Sequence, residues 1–380
     1  MHSANADVVI IGAGSAGHAV ARALRRRDPL CTITLIAAHS GEVYPKSALA
    51  AALAAGRDPV RLVQASADMV AAREDLHLIE QSPARSIDLV QRAVDMEHGS
   101  IPFERVVLAL GEEVGVPGAL RGNPAVCPIN RLADYSRLKT KMAGARRVLI
   151  LGAGTAACEF ADELARSGRQ AIVLDSARHP LGERLPVLAA RRLRTDLERA
   201  GVQFRLGERL LAVDPIAAGR YRAFTSCSDR LDIDAVISLV EPRPRVSLAR
   251  DAGLPVDRRG IAVEGRLLAG AEGVFAVGAC ARLPVAIAHA GIEAQAHALA
   301  ETLCGRPTQP ESRLEAYRLN TPDAEFVFFE PPPLAGEWQE RATPGGVSSA
   351  FVDSDGRLRG FALAGSAVDG RKAWLARLTR

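Results

Sequence analysis

Residues 8–17 read VVIIGAGSAG, four apolar residues followed by a glycine-rich turn. The apolar run is typical of a buried strand, and the amphipathic run Ala19–Leu24 that follows is typical of a helix. In this order Gly12 permits a tight turn, Gly14 lets the backbone approach a diphosphate, and Gly17 lets the helix pack on the strand. The helix N-terminus then faces the negative charge. The stretch predicts a dinucleotide-binding turn; an ordinary glycine-rich turn is the alternative.

The same pattern recurs at residues 148–157, which read VLILGAGTAA. Gly152 and Gly154 take the first two glycine places, and alanine at the third is small enough for helix–strand packing. Asp175 closes the next strand about 20 residues later, where an acid is expected to bond the ribose hydroxyls. Two such units predict two dinucleotides in one chain. The first unit offers His39 and its uncharged neighbours where its own acid is expected.

Composition limits the class of protein. The chain has 380 residues, 48% of them hydrophobic, which suits two or three soluble globular domains. A net charge of +4 and 4% aromatic residues argue against nucleic-acid binding. No run approaches the roughly 18 apolar residues of a membrane span, and no targeting segment is evident, so we expect a cytoplasmic protein. The six cysteines show no CxxC spacing, which gives no support to a metal site or a local redox disulfide.

Further patterns organise the rest of the chain. Residues 106–111, VVLALG, predict a buried strand ending at Gly111, and residues 273–278, GVFAVG, predict another before a helix that begins near Gly291. The Gly- and Pro-rich stretch 115–124 predicts a hinge. Alternating segments near the C-terminus predict the strands of a small α+β domain: 325–329, 346–352 and 357–364.

These motifs together resemble the flavoprotein reductases that carry two dinucleotide-binding domains. The second turn is followed by Cys158-Glu159-Phe160, as in that family. Without a cysteine pair, the chain resembles the ferredoxin and rubredoxin reductase branch more than the disulfide reductase branch. The segments that resemble rubredoxin reductases in particular are 127–130 (CPIN), 321–322 (TP), 330–333 (EPPP) and 360–368 (GFALAGSAV).

The resemblance implies an α/β fold with two Rossmann-like dinucleotide-binding domains, for FAD and NAD, plus a small C-terminal α+β domain. Its domain order implies a discontinuous FAD domain at 1–114 and 246–318, an NAD(H) domain at 115–245 and a C-terminal domain at 319–380. It implies FAD and NADH as cofactors. The implied function is an NADH oxidoreductase that passes electrons to a small acidic iron–sulfur protein such as rubredoxin.

The resemblance also implies individual site residues. Lys46 matches a lysine beside the flavin ring, and Glu159 would pair with it near the nicotinamide; a surface lysine and a solvated helix residue are the alternatives. We place Glu159 in the first helical turn after the glycines, where a carboxylate is favoured electrostatically. The expected cofactor-binding residues, besides Lys46, lie in the turns and at strand ends: Gly12, Gly14, Gly17, His39, Ala84, Gly111, Gly152, Gly154, Asp175, Gly278, Ala279 and Gly291.

Several positions depart from the family pattern, most of them on the FAD side; Pro45 and Ser47 break a Lys-Pro pattern, and four others change polar contacts. His39 replaces the acid expected on the adenosine ribose, and Ala279 replaces the aspartate that holds the ribitol. Glu241 occupies a usual glycine position, and Asn320 replaces a second flavin-side lysine. These departures support a second hypothesis, a degenerate relative that binds FAD weakly or not at all and acts as a binding or regulatory subunit.

Overall fold

The computed structural model describes residues 6–46, 48–49, 52, 55–182 and 185–378. These residues fall into two compact units. The first unit is drawn from Met1–Pro45, Leu62–Glu113 and Arg243–Arg313, and the second from Lys46–Arg61, Val114–Pro242 and Leu314–Arg380. In the part of the chain that the structure describes, no helix is long and apolar enough to cross a membrane.

Residues 6–113 begin with the predicted strand, turn and helix. The helix is longer than the pattern suggested, and the strand predicted through Gly111 ends three residues earlier. The elements are β1 (Ala6–Ile11), α1 (Ser15–Arg27), β2 (Ile33–Ile36), α2 (Ala67–Glu74), β3 (His77–Ile79), β4 (Ser86–Asp88), β5 (Ala93–Met96), β6 (Gly99–Leu108) and β7 (Glu112–Glu113).

Residues 114–242 repeat this order around the second turn. The elements are β8 (Val126–Pro128), α3 (Leu132–Met142), β9 (Arg147–Leu151), α4 (Thr155–Arg166), β10 (Gln170–Asp175), α5 (Val187–Arg199), β11 (Gln203–Leu206), β12 (Leu210–Ala217), β13 (Arg220–Thr225), β14 (Arg230–Ile233) and β15 (Ala235–Ser238).

Residues 243–378 complete the first unit and then form a small sheet. The elements are β16 (Arg243–Pro244), α6 (Ser247–Asp251), β17 (Val256–Asp257), β18 (Gly260–Ala262), β19 (Val274–Ala276), β20 (Ala281–Arg282), α7 (Ile292–Leu303), β21 (Tyr317–Arg318), β22 (Phe326–Phe329), β23 (Gly336–Thr343), β24 (Gly346–Asp353), β25 (Leu358–Gly365) and α8 (Arg371–Leu378).

The main sheet of the first unit places several turns at one edge. Strands β3, β2, β1, β6 and β19 run parallel in that order, and β5 and β4 extend the sheet from β6 in the antiparallel sense. Residues 8–10 of β1 are fully buried, as expected for a parallel strand covered on both faces. Leu108 pairs with both Ile11 and Ala276, so β1, β6 and β19 end at the same edge of the sheet.

The second unit has its own parallel sheet, in the order β11-β10-β9-β15-β8. Leu151 pairs with Leu174 and with Ser238, and Ser238 pairs with Pro128. The carboxyl ends of β8, β9, β10 and β15 therefore meet at one edge. Two other sheets of this unit are antiparallel: the meander β12-β13-β14, and the C-terminal sheet β21-β22-β25-β24-β23.

Candidate functional site

The first turn connects β1 to α1 with little room for side chains. Gly12 has a φ of +119°, and a Cβ there would collide with the carbonyl oxygen of Ala109. A Cβ on Gly17 would collide with the carbonyl of Gly12, whereas Gly14 faces open space. Gly14 is the N-cap of α1, its cap receives no side-chain hydrogen bond, and the first helical turn carries no acid. The first N–H groups of α1 thus remain available to an anion.

Two further glycines lie at the same sheet edge. Gly111 has a φ of +66° and an open Cβ position. Gly278 has a φ of +70°, and its N–H donates to Gln295 Oε1 at 2.9 Å. Gln295 also donates from Nε2 to the carbonyl of Ala290 at 2.7 Å, and this side chain is 5% exposed. Gln295, which the sequence analysis missed, therefore links Gly278 to the start of α7.

The remaining residues predicted on the FAD side lie on surface segments. Gly291 is the N-cap of α7, as expected, and has no side-chain cap. Ala84 is half-buried before β4, and His39 is exposed in the loop after β2. Ala279 is also exposed, one residue beyond Gly278. Neither His39 nor Ala279 brings a carboxylate to this edge.

The second turn matches the first. Gly152 has a φ of +98°, and a Cβ there would meet the carbonyl oxygen of Leu239 at 2.5 Å. Gly154 again faces open space and is the uncapped N-cap of α4. Because Gly14 and Gly154 carry no side chain, the backbone of each turn is open at the place where a diphosphate would approach.

Asp175 ends β10, as predicted. Its Oδ2 accepts from the N–H of Ala153 at 2.8 Å, and its Oδ1 accepts from the N–H of Ala177 at 2.7 Å. The two backbone donors fix the carboxylate beside the second turn. A carboxylate has about four acceptor sites, so capacity remains for ribose hydroxyls.

Lys46 and Glu159 each form hydrogen bonds with other residues. Lys46 is exposed, and its Nζ donates to Asn130 Oδ1 at 3.1 Å. Glu159 Oε1 accepts from the N–H of Asn320 at 2.9 Å and from the hydroxyl of Tyr317 at 3.1 Å. These contacts hold Lys46 and Glu159 in place separately, and their pairing beside the nicotinamide stays a prediction.

The position of Glu159 in α4 corrects our expectation. Helix α4 begins at Thr155, and its first turn contains no acid, so Glu159 begins the second turn. The small residues 155–157 give no amphipathic signal, so the sequence pattern does not show that the helix begins at Thr155. The effect of the helix dipole falls off after the first turn and does not account for the placement of Glu159.

The thiols near these turns are structural. All six cysteines lie among the described residues and are free. Burial raises the pKa of Cys158 to about 12 and that of Cys280 to about 11. Cys280 Sγ donates to the carbonyls of Leu108 and Val277, each at 3.3 Å. High thiol pKa values suppress the thiolate, so these two groups are poor nucleophiles.

Two strand–turn–helix units, each with an uncapped helix N-terminus and an open middle glycine, fit the pyrophosphates of two dinucleotides. The only carboxylate predicted on a ribose is Asp175, beside the second turn. This fold and these turns define a class of two-dinucleotide oxidoreductases.

The chain belongs to the pyridine nucleotide-disulphide oxidoreductase family, whose model matches residues 6–301. A second model, the rubredoxin binding C-terminal domain, matches residues 321–378. These matches confirm the family recognised from the sequence and the expected fold class, and the family is one of enzymes that bind FAD and NAD(H).

The chain is 31% identical to the rubredoxin-NAD(+) reductase of Alcanivorax borkumensis, over 95% of each chain. It is also 31% identical to the nitric oxide reductase FlRd-NAD(+) reductase of Aeromonas hydrophila, over 98% of this chain and 97% of that protein. Among solved structures, a ferredoxin reductase from Rhodopseudomonas palustris superposes with a TM-score of 0.83 at 24% identity, covering 96% of this chain and 94% of the other. The reductase in a covalent putidaredoxin reductase–putidaredoxin complex gives 0.84 at 21% identity, covering 99% and 94%. These two structures support the fold.

Proposed function

We propose that this protein is an NADH-dependent flavoprotein reductase that passes electrons to a small acidic iron–sulfur protein such as rubredoxin. The observation that carries the proposal is a pair of open dinucleotide turns in a chain whose residues 321–378 match a rubredoxin-binding domain. Bound FAD supplies the conversion between the two-electron chemistry of NADH and the one-electron chemistry of an iron–sulfur protein.

On the FAD side, backbone groups would supply most of the contacts with the cofactor. The N–H groups at the start of α1 and the open position at Gly14 would hold the pyrophosphate. The backbone at Ala84 would contact the adenine, and His39 would offer one neutral acceptor to the adenosine ribose. Gly111, Gly278 and Ala279 would line the sheet edge along the ribitol. The N-terminus of α7 at Gly291 would face the electron-rich pyrimidine part of the flavin.

On the NAD side, Gly152 and Gly154 would admit the pyrophosphate to the N-terminus of α4. Asp175 would accept hydrogen bonds from the ribose diol and repel a 2′-phosphate, which favours NADH over NADPH. Arg178, three residues later, is the competing feature, because an arginine can bind that phosphate. Ala153 and Ala177 fix the Asp175 carboxylate, so it need not be ordered when the ribose binds.

Lys46 and Glu159 would act at the reacting end of the nicotinamide. The ammonium of Lys46 would stabilise the negative charge that accumulates on the flavin during hydride transfer, an effect larger in the transition state than in the ground state. The bond from Lys46 Nζ to Asn130 Oδ1 restricts the side chain, so the ammonium need not be ordered when the nicotinamide binds.

The domain assignment follows the same proposal. Residues 1–114 and 246–318 would form the FAD domain, 115–245 the NAD(H) domain and 319–380 the domain that receives the acceptor. The boundaries between the two compact units, after Glu113 and before Arg243, support the first two divisions, whereas Lys46–Arg61 and Leu314–Arg380 group with the second unit. The exposed cations Lys372 and Arg377 on α8 support an acidic partner. We place the protein in the cytoplasm, where NADH and reduced thiols coexist.

A second candidate function, a binding or regulatory subunit without flavin chemistry, is favoured by the missing carboxylates at His39 and Ala279. The decisive experiment is purification without added cofactor, followed by an absorption spectrum and titration with FAD. A yellow protein, or one that takes up one FAD per chain, supports the reductase. A colourless protein that stays folded and refuses FAD supports the second candidate.

A further inference from the structure

We propose that Tyr317 is a positioning residue for the NADH reaction, because its hydroxyl fixes the carboxylate of Glu159 together with the backbone N–H of Asn320. The inference rests on the proposed function, since the role assigned to Tyr317 is carried through Glu159. The segment that contains Tyr317 and Asn320, which leads into the acceptor-binding domain, would then take part in the reaction of the nicotinamide.

Two donors of different kinds converge on one carboxylate oxygen. Glu159 Oε1 accepts from Asn320 N at 2.9 Å and from Tyr317 Oη at 3.1 Å. The donors lie 161 and 158 residues from Glu159 along the chain, so this is a tertiary contact and not a local helix feature. Hydrogen bonds to an ionised acceptor are stronger than those between neutral groups. Both described bonds use Oε1, which leaves the lone pairs of Oε2 for another partner.

The hydroxyl of Tyr317 is itself held in place. Tyr317 pairs with Phe328 across β21 and β22, and the two rings lie 5.4 Å apart between centroids at an angle of 44°. The side chain is 44% exposed, so this ring contact and the bond to Glu159 help to hold it at the surface without deep burial. Such a residue can lose its hydroxyl without losing its packing.

A second contact ties the same helix to the same segment. Arg166 lies seven residues after Glu159 on α4, and its Nη1 is 2.8 Å from Asp323 Oδ2. Seven residues are about two helical turns, or roughly 10 Å, so the segment around residues 317–323 follows α4 over that length. The helix fixes the backbone of Glu159 five residues after Gly154, and the contacts with Tyr317 and Asn320 fix the direction of its side chain.

The test replaces Tyr317 by Phe, which keeps the ring and removes the donor. We expect kcat/KM for NADH to fall about threefold to tenfold, the value of one partly exposed hydrogen bond to a charge. We expect the Kd of NADH for the flavin-free protein, measured by NADH fluorescence, to rise by at least about twofold, while the melting temperature stays the same. Tyr221→Phe, on the separate meander strand β13, is the matched control and should change none of these values.

A double-mutant cycle separates positioning from a general structural effect. In a Glu159→Ala background, Tyr317→Phe should have no further effect, because the group it positions is gone. Additive losses would overturn the inference. If Glu159→Ala impairs the reaction but Tyr317→Phe behaves as wild type, the inference fails and the proposed function stands. If Glu159→Ala changes neither kcat/KM nor NADH affinity, the role proposed for Glu159 is wrong and the inference falls with it.

Discussion

The backbone N–H of Ala153, inside the second glycine turn, donates to the carboxylate of Asp175 at 2.8 Å. This bond couples the diphosphate turn to the acid that would select the ribose. We expect Asp175→Asn to lower kcat/KM for NADH by about tenfold, since a hydrogen bond to a charged acceptor is lost, and to lower kcat/KM for NADPH less. Steady-state kinetics with both donors measure this. Asp232→Asn, in the half-buried pair with Arg222, is the control. A wild-type preference for NADPH would contradict the assignment.

Replacement of Lys46 by Met tests charge stabilisation at the flavin. We expect flavin reduction by NADH to slow about tenfold or more, while the Kd of NADH changes little, because the ammonium acts mainly on charge that develops in the transition state. Stopped-flow reduction measures both values. Lys141→Met is a suitable control, since Lys141 binds Pro124 and Cys127 instead. An unchanged reduction rate would show that Lys46 is a surface lysine with no role in flavin reduction.

Because Ala279 is exposed, we expect Ala279→Asp to increase the affinity for FAD. An aspartate there would not be buried without a partner, so we expect it to serve as an acceptor for a ribitol hydroxyl. Such a bond contributes roughly 1.5–3 kcal/mol, about tenfold to a hundredfold in FAD affinity. Titration of FAD followed by flavin fluorescence measures the change. Ala218→Asp, exposed on the β12–β13 turn, controls for net charge. Equal or weaker binding by a folded Ala279 variant would mean that no ribitol lies beside this residue.

Asp162 makes the stability of the second unit depend on pH. This α4 side chain is 1% exposed, its Oδ1 has no partner among the described residues, and burial raises its pKa from 3.8 to about 6. The folded state therefore binds more protons, and its stability falls as pH rises between about 4 and 6. Asp162→Asn should add up to roughly 2–3 kcal/mol above pH 6 and little at pH 4.

Chemical unfolding at both pH values measures this effect. The hydrogen bond from Arg222 lowers the pKa of the half-buried Asp232 carboxyl, so Asp232→Asn should not stabilise the protein at neutral pH. A pH-independent gain from Asp162→Asn would show that improved packing, and not removal of a buried charge, is responsible.

The features that could be predicted from the sequence are local. Buried parallel strands are continuous apolar runs, and Gly12 and Gly152 are required by positive φ and by close carbonyls, so both turns could be located. Helix α3 was missed: it has no side-chain N-cap among the usual Ser, Thr, Asn or Asp, and Arg131 takes that place. Strand β23 was missed because five of its eight residues are charged or polar.

The candidate site was harder to predict where its contacts are distant in sequence. Lys46 and Asn130 are separated by 84 residues, and Glu159 and Asn320 by 161. Nothing in the local pattern around Lys46 or Glu159 indicates those partners, which only the folded chain brings together. Gln295 was missed for the same reason, since an amide on a helix carries no signal of the strand end that it binds.

The most direct test of the central claim is the anaerobic reduction of oxidised rubredoxin by a limiting amount of NADH with the FAD-loaded protein, followed by rubredoxin absorbance. A hydride carries two electrons and rubredoxin accepts one, so the account predicts that two rubredoxins are reduced per NADH, with no reduction when the protein is omitted. A flavin-loaded protein that oxidises NADH but leaves rubredoxin oxidised would contradict the assigned acceptor, and one that does not oxidise NADH would contradict the reductase.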